Sequence, residues 1–228
     1  VFEVNYTEIG NSNDWAGKAN QGNSDIIMLG ARGLKDPNNV YVEGWGFAPV
    51  TKALNDAFLP NDPRKWTTII DHEEFRAEGG TVSSDVNQYT GYSVRKYHPR
   101  AGYSSTVGTE ALNYKNNYRV IRFSDVLLMA SEALLRSGGS VGEAQDYYAR
   151  VVKRAMGDDY KVPVVSLDNI YKERRYEFAM EGIRFWDLVR TNQAKDFIKG
   201  WEDTKKYLPI PQSEIDKSDG HLVQNPHF

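Results

Sequence analysis

Three glutamates, Glu173, Glu177 and Glu181, recur at four-residue intervals in a stretch that also carries Arg174 and Arg184. Paired carboxylates could supply the acid and the base of glycoside hydrolysis, which must flank the scissile bond. Consecutive turns of one arginine-rich helix form a poor cleft for that purpose. We therefore interpret these five residues as a structural ion-pair network, because charges inside a fold need partners.

The helix that carries these charges is predicted to begin at Leu167, after Ser166 as its N-cap, and to continue beyond Gly182, where it can bend. At about 100° per residue, the glutamates and Arg184 fall on one wedge, with Arg174 at its edge. Apolar side chains cover most of the rest, namely Tyr176, Phe178, Ala179, Met180, Ile183, Trp186 and Val189. A helix of this kind lies between other elements. Its charges pair either along the helix, as 177 with 184 and 174 with 181, or with partners elsewhere.

Other catalytic motifs are missing from the sequence. There is no cysteine, which excludes thiol catalysis and disulfides. The histidines are widely spaced and match no metal-binding motif; they are His72, His98, His221 and His227. The segment "DHEE" and the Asp/Asn turns offer oxygen ligands for calcium, but no complete EF-hand loop is present and turn chemistry explains them more simply. We expect no cofactor and no metal site.

Aromatic side chains among short polar residues are the candidate ligand contacts. The chain has 14 Tyr and 5 Trp, and sugar rings need an apolar face for stacking together with hydrogen bonds to their hydroxyls. Trp15, within "NSNDWAGKANQGN", is the leading candidate, followed by Tyr41, Trp45, Tyr89 and Tyr92. The alternative is that Trp45 packs within "GWG" and that Tyr89 and Tyr92 line a strand. For Trp201 a core or cap position is the simpler interpretation.

Composition excludes two classes of partner. The net charge of -3 and a pI near 5.9, without a stripe of Lys and Arg, argue against nucleic acid. No apolar run approaches the roughly 20 residues of a membrane-spanning helix.

The segment "VFEVNY" at the beginning reads as a strand already under way, and we expect the chain to be a fragment or a processed form.

Three zones follow one another along a predicted single domain, 1–228. Residues 1–115 are rich in turn-forming tracts, with one helix at 50–58 that is ended by the prolines of "LPNDPR". A helical hairpin occupies 116–165, with arms at 120–137 and 142–156. Its turn contains two glycines and a capping box of Ser140 and Glu143. One apolar stripe marks the second arm, consisting of Ala144, Tyr147, Tyr148, Val151, Val152 and Ala155. The hairpin resembles one tetratricopeptide-type unit, which normally stacks on others.

Several motifs in register resemble the SusD/RagB family. They are "IRFSDVLLMASEAL", "ERRYEFAMEGIRFWDLVRT", "YLPIPQSEID" and the terminal "QNPHF", preceded by "GWGFAPVTKALNDAF", "NDPR" and "YSVRKY". The resemblance covers nearly the whole chain and corresponds to the family's C-terminal half. It implies a mainly α fold, an α/α superhelix in which a tetratricopeptide-type hairpin accompanies a large irregular, loop-rich region with few short strands.

The same resemblance implies a function. Members of this family are outer-membrane surface lipoproteins that capture nutrients, usually glycans, without chemistry, and deliver them to a TonB-dependent, SusC-like transporter. We therefore expect an oligosaccharide or a similar small nutrient as ligand, and a cell-surface location on a Gram-negative bacterium. Contact with the membrane would be made only through a lipid anchor in a part that precedes this chain. The alternatives are a glycan-degrading enzyme or accessory domain, and a purely scaffolding role.

Overall fold

The computed structural model describes residues 1–9, 15 and 20–228. Most of the predicted turn-forming tract "NSNDWAGKANQGN" around Trp15 therefore lies outside the described residues. The chain divides into two compact units, Val1–Glu181 and Gly182–Phe228. In the first unit the helices are α1 (Asp25–Leu29), α2 (Lys52–Asn55), α3 (Pro63–Thr68), α4 (His72–Ala77), α5 (Phe123–Ser137), α6 (Val141–Met156) and α7 (Leu167–Glu177). The second unit contains α8 (Arg184–Arg190), α9 (Ala194–Phe197) and α10 (Gln212–Lys217). The predicted division of a single domain into three zones, with boundaries near residues 115 and 165, stays a prediction.

Short strands complete the first unit. β1 (Phe2–Val4) pairs antiparallel with β4 (Tyr118–Ile121), and β2 (Ile69–Asp71) pairs antiparallel with β3 (Tyr92–Val94). The strand predicted in "VFEVNY" is thus present as β1. Helices joined by long irregular segments with few short strands confirm the predicted mainly α fold class.

The predicted hairpin is formed by α5 and α6. Gly138 ends α5 with a φ of 72°, a left-handed conformation that glycine adopts without strain. The Oγ of Ser140 accepts a 3.2 Å hydrogen bond from the backbone N–H of Glu143 and so caps α6. The Glu143 carboxylate instead accepts a hydrogen bond from the Tyr147 hydroxyl at 2.6 Å. Only the serine half of the capping box is therefore made.

Packing of the hairpin follows its apolar stripe. Ala144, Tyr148, Val151 and Val152 of α6 are buried, as is Leu128 of α5. Where the arms meet, the Oγ of Ser131 donates a 2.7 Å hydrogen bond to the carbonyl of Ala144, which is possible because both residues are small. Helix α7 also packs on α5 and adds Ile170 to the buried side chains.

The helix predicted at 50–58 is shorter than expected. Only α2 forms there, with Thr51 as its cap. The proline at 63 does not merely stop this helix; it occupies the first turn of α3, and Asp62 caps that helix by accepting a hydrogen bond from the N–H of Arg64. Proline is well suited to the first turn because its missing N–H has no partner there in any case.

The prediction of one helix continuing from Leu167 past Gly182 is wrong. Helix α7 ends at Glu177, Met180 and Gly182 then have φ angles of 63° and 81°, and α8 begins at Arg184. A non-glycine residue with positive φ cannot continue a right-handed helix. Arg184 therefore lies on α8 in the second unit, whereas the three glutamates belong to the first unit.

Backbone hydrogen bonds place residues 44–47 against the end of α1. The N–H groups of Gly44 and Trp45 donate to the carbonyls of Ala31 and Ile27, at 2.9 and 2.8 Å. Gly44 has no room for a side chain, because a Cβ there would lie 2.3 Å from the Cα of Gly30. This close approach fixes the backbone from which Trp45 and Phe47 project.

Replacing Gly44 with alanine should therefore destabilise the fold. We expect Gly44→Ala to lower the free energy of unfolding by about 1–3 kcal/mol or more, because backbone atoms must move to admit the methyl group. The measurement is chemical denaturation of parent and variant. Gly142→Ala is the matched control, since a Cβ there meets only the Ser140 Oγ at 3.8 Å. Equal stability of Gly44→Ala and the parent would contradict the steric argument.

Candidate functional site

Three aromatic rings lie side by side on the surface of the first unit. The centroids of Trp15 and Trp45 are 5.2 Å apart, and those of Trp45 and Phe47 are 5.8 Å apart. They are exposed to 48%, 37% and 68% of their full areas. We call these three residues the aromatic surface. Exposed rings in contact present a continuous apolar face to a ligand.

Polar side chains border the aromatic surface on two sides. A cavity of about 540 Å³ is lined by Arg32 and Glu43 together with Trp45 and Phe47. A second cavity, of about 300 Å³, shares Arg32, Trp45 and Phe47 and adds Asn87 and Gln88. Amide and charged groups beside aromatic faces are the combination that the polar and apolar sides of a sugar ring require.

The structure brings together two of the five aromatic residues predicted as ligand contacts, Trp15 and Trp45. Phe47 was not predicted, although the spacing offered a signal: it is two residues beyond Trp45, and alternate residues of an extended segment share a face. Asn87 and Gln88 gave no such signal, because their position beside the tryptophan depends on long-range folding. The ligand role of all these residues stays a prediction.

Tyr89 and Tyr92 line a separate, smaller cavity of about 20 Å³. The Tyr89 ring packs on His72 with a centroid separation of 5.5 Å, and its hydroxyl accepts a 3.2 Å hydrogen bond from Arg76. Tyr92 lies in β3 opposite Asp71, whereas Tyr89 lies in the irregular segment before that strand. The strand interpretation thus applies to Tyr92 alone.

Tyr41 has the contacts of a packing residue. Its ring is half-buried, meets His98 edge-on with a centroid separation of 5.2 Å, and lies beneath the guanidinium groups of Arg95 and Arg100. Neither of the two cavities at the aromatic surface is lined by it. In the second unit Trp201 is half-buried and meets Phe185 at 6.1 Å.

The glutamates of the opening stretch meet cations from distant parts of the chain. Glu177 accepts hydrogen bonds from Arg154 at 2.6 and 2.7 Å, from Arg122 at 2.8 Å and from Arg64 at 3.2 Å. Glu181 accepts from Arg122 at 2.8 Å and from Lys96 at 2.6 Å. We call this group, together with Asp62 and Glu173 on Arg64, the charge cluster.

Arg122 and Lys96 use all of their donors within the charge cluster. Arg122 uses its Nε on Glu181, its Nη1 on Ser124 and Glu177, and its Nη2 on Glu181 and the carbonyl of Glu177. These bonds occupy all five N–H groups of a guanidinium. Lys96 likewise bonds Glu181 and the carbonyls of Glu177 and Ala179. Saturated donors favour a structural role for these two cations, whereas Arg154 bonds Glu177 through its Nη2 and has a side chain that is 60% exposed.

The pKa values of the glutamates reflect this environment. Burial opposes the ionisation of Glu177, but hydrogen bonds and charge from Arg122, with the charges of Arg154 and Arg64, outweigh it and lower the pKa to about 2. Burial raises the pKa of Glu173, which has Arg64 as its partner. Glu177 is therefore the ionised anchor of the cluster and a poor proton donor at neutral pH.

The remaining two predicted members, Arg174 and Arg184, contact other groups. Arg174 donates to Asp125 at 2.6 Å, and its guanidinium lies 5.1 Å from the ring centroid of Phe178. Arg184, in the second unit, lies over Phe197 at 5.0 Å. The partners of Glu177 and Glu181 are thus found elsewhere in the fold and not one or two turns along the same helix.

The described residues hold no group of three or more His, Asp or Glu side chains that could bind a metal ion. None of their helices combines the length and apolar character that crossing a bilayer requires.

Comparison with known proteins decides the family. A model of the SusD family matches residues 1–228. The chain belongs to the SusD family. This confirms the resemblance found in its motifs. Among curated relatives, SusD-like protein P2 of Formosa agariphila is 24% identical over 88% of this chain and 44% of its own.

Solved structures of SusD-like proteins match more closely. A "laminarin binding SusD-like protein" superimposes with a TM-score of 0.87 at 36% identity, over 99% of this chain and 49% of that one. Surface glycan-binding protein A from Bacteroides thetaiotaomicron, solved in complex with laminarihexaose, gives a TM-score of 0.83 at 33% identity, over 99% and 51%. The chain spans about half the length of the relatives that it matches.

Removing the Glu177 carboxylate from the charge cluster should lower the free energy of unfolding. We expect Glu177→Ala to cost about 3–5 kcal/mol, because Arg64, Arg122 and Arg154 would keep their charges without a shared carboxylate. Glu177→Gln should lose most of the same stability, since it keeps the shape and removes the charge. Chemical denaturation measures both.

Glu214→Ala is the control for these variants, because the Glu214–Lys217 pair has both side chains more than half exposed. Such pairs contribute little, so no measurable change is expected. If the Glu177 variants were as stable as the parent, the cluster would not have a structural role.

Acid should weaken the fold in two stages. Burial lowers the pKa of both His72 and His98 to about 4. Between pH 6.5 and 4 the unfolded chain binds protons that these folded imidazoles do not, so stability falls as pH is lowered through that range. Below pH 4.5 the ionised Glu177 contributes progressively less to the free energy of unfolding, and this contribution is lost towards pH 2.

Urea denaturation at a series of pH values tests this dependence. His72→Gln removes one titrating group and should make the decline between pH 6.5 and 4 shallower than in the parent. A stability that is flat from pH 7 to 4 would contradict the burial of neutral imidazoles.

Proposed function

We propose that this chain forms part of a non-enzymatic surface protein that binds a glycan on Trp15, Trp45 and Phe47. The observation that carries the proposal is the contact between exposed rings beside amide and charged side chains. Sugar rings stack their C–H faces on such rings and bond their hydroxyls to the polar groups around them. The laminarin and laminarihexaose named for two similar structures make a glucan oligosaccharide the first ligand to test.

The absence of chemistry is part of the same proposal. The carboxylates nearest to a glycosidase pattern belong to the charge cluster, where Glu177 is held ionised by three arginines. A general acid for glycoside cleavage needs a raised pKa at neutral pH, which is opposite to the lowered pKa of Glu177. Burial raises the pKa of Glu173, but this side chain is 5% exposed and ion-paired with Arg64, which makes it poorly accessible to a sugar. The alternative of a glycan-degrading enzyme therefore has no support from this cluster.

Delivery to a transporter is the finer part of the proposal and is supported by family membership. We infer that the whole protein is held at the outer-membrane surface of the cell and hands its glycan to a SusC-like, TonB-dependent partner. Co-purification of the tagged whole protein with such a receptor from outer membranes tests this step. Recovery of the protein alone, under conditions that preserve membrane complexes, would count against it.

Binding should depend on the tryptophans of the aromatic surface. We expect calorimetry with laminarihexaose to give an affinity in the micromolar to millimolar range, since each stacked ring contributes only about 0.5–1.5 kcal/mol beyond its buried area. Trp45→Ala and Trp15→Ala should each weaken binding about tenfold while the melting temperature stays near that of the parent.

Trp66→Ala is the matched control, because Trp66 is 46% exposed and lines neither cavity of the aromatic surface. It should bind laminarihexaose as the parent does. Chromatography of the incubated mixtures should show the intact hexaose. Shortened products would contradict the non-enzymatic role, and unchanged affinity of both tryptophan variants would remove the aromatic surface as the site.

A further inference from the structure

Two buried imidazoles in the first unit differ in their hydrogen bonding. His98 is fully paired: its Nε2 accepts a 2.9 Å bond from the N–H of Ala31, and its Nδ1 lies 3.1 Å from the carbonyl of Pro99, to which it donates. His72 is 5% exposed, and neither of its ring nitrogens has a hydrogen-bond partner within the described part of the chain. Buried polar atoms without partners are uncommon, because each is destabilising.

A second unpartnered group lies in the same place. The Oγ of Ser93 is buried and, among the described residues, has no partner either. Ser93 and His72 both line the cavity of about 20 Å³ that also contains Tyr89 and Tyr92. That volume suffices for one oxygen-sized group, whether a water molecule or a hydroxyl. The neutral imidazole offers one donor and one acceptor, and the serine hydroxyl offers both.

This cavity adjoins the aromatic surface. Arg32, Gly46, Val86 and Asn87 line it and also line the 300 Å³ cavity beside Trp45. The two spaces are therefore neighbours that share part of their lining. His72 and Ser93 line the smaller space, next to the one that Trp45 and Phe47 line.

We propose that His72 and Ser93 form a hydroxyl-recognition pocket of the glycan site, which takes the exocyclic hydroxymethyl group of a hexose bound on the aromatic surface. This inference rests on the proposed function. The hydroxymethyl oxygen extends further from the sugar ring than a ring hydroxyl does, and it can both donate and accept. Its entry would give a hydrogen-bond partner to buried groups that have none within the described part of the chain.

The pocket discriminates hexoses from pentoses if this assignment is right. Xylose has no hydroxymethyl group, so a xylose oligosaccharide of matching linkage could stack on the same rings and yet leave His72 and Ser93 unpaired. Sites that hydrogen-bond a ligand group reject the analogue that lacks it more strongly than apolar pockets reject a missing methylene.

Calorimetry with laminarihexaose and its xylose counterpart tests the assignment. Ser93→Ala and His72→Gln should each weaken binding of the hexaose about three- to tenfold and should leave binding of the xylose compound unchanged. Thr68→Val is the matched control, because Thr68 has an equally buried Oγ without a partner among the described residues but lines the charge cluster instead. It should bind both ligands as the parent does.

The outcomes separate this inference from the proposed function. If Trp45→Ala weakens binding while Ser93→Ala and His72→Gln bind the hexaose as the parent does, the pocket assignment is overturned and the aromatic surface stands. If the two pocket variants lose the hexaose and the xylose compound equally, the pocket does not read the hydroxymethyl group. Absence of glycan binding by the folded parent chain overturns both. Circular dichroism of every variant confirms that the fold is retained in each comparison.

Discussion

The first unit depends on one buried carboxylate. Glu177, at the end of α7, accepts hydrogen bonds from Arg64 of α3, Arg122 before α5 and Arg154 of α6. A carboxylate with three guanidinium partners would be surrounded by excess positive charge if it stood alone. Glu173 and Asp62 on Arg64, and Glu181 between Arg122 and Lys96, restore the balance. Charges can stay buried in such a cluster because each is both paired and hydrogen-bonded.

The charge cluster and the aromatic surface divide the chemistry of the first unit between them. The donors of Arg122 and Lys96 are saturated within the cluster, whereas the rings of the aromatic surface are open to solvent and carry no charge. A neutral sugar suits the second environment, because stacking on a ring face requires no ion pair. The backbone contact between Gly30 and Gly44 has a related role, since it fixes the ring positions before a ligand arrives. Preorganised contacts limit the entropy that binding costs.

Local patterns in the sequence predicted what local forces determine. The hairpin of α5 and α6 followed from apolar periodicity, two glycines and a serine cap, all of which act within a few residues. The end of α7 at Glu177 did not follow, because the positive φ of Met180 is not a preference of methionine and its residue type does not signal it. The partners of Glu177 were equally hidden: Arg64 is 113 residues away and Arg122 is 55 residues away. Ordered family motifs supplied the long-range information that residue types alone do not contain.

Stacking alone does not select a glycan, since every pyranose has an apolar face. Selection must come from the polar groups that surround the rings and from the space between them. Arg32 is the side chain common to all three cavities at and beside the aromatic surface, and Asn87 is common to two of them. Backbone pairing holds the segment of Arg32, because the N–H of Ser83 donates to the carbonyl of Arg32. Under the proposed function, ligand preference should therefore follow changes in the segment 83–90, while the charge cluster that supports the fold tolerates little change.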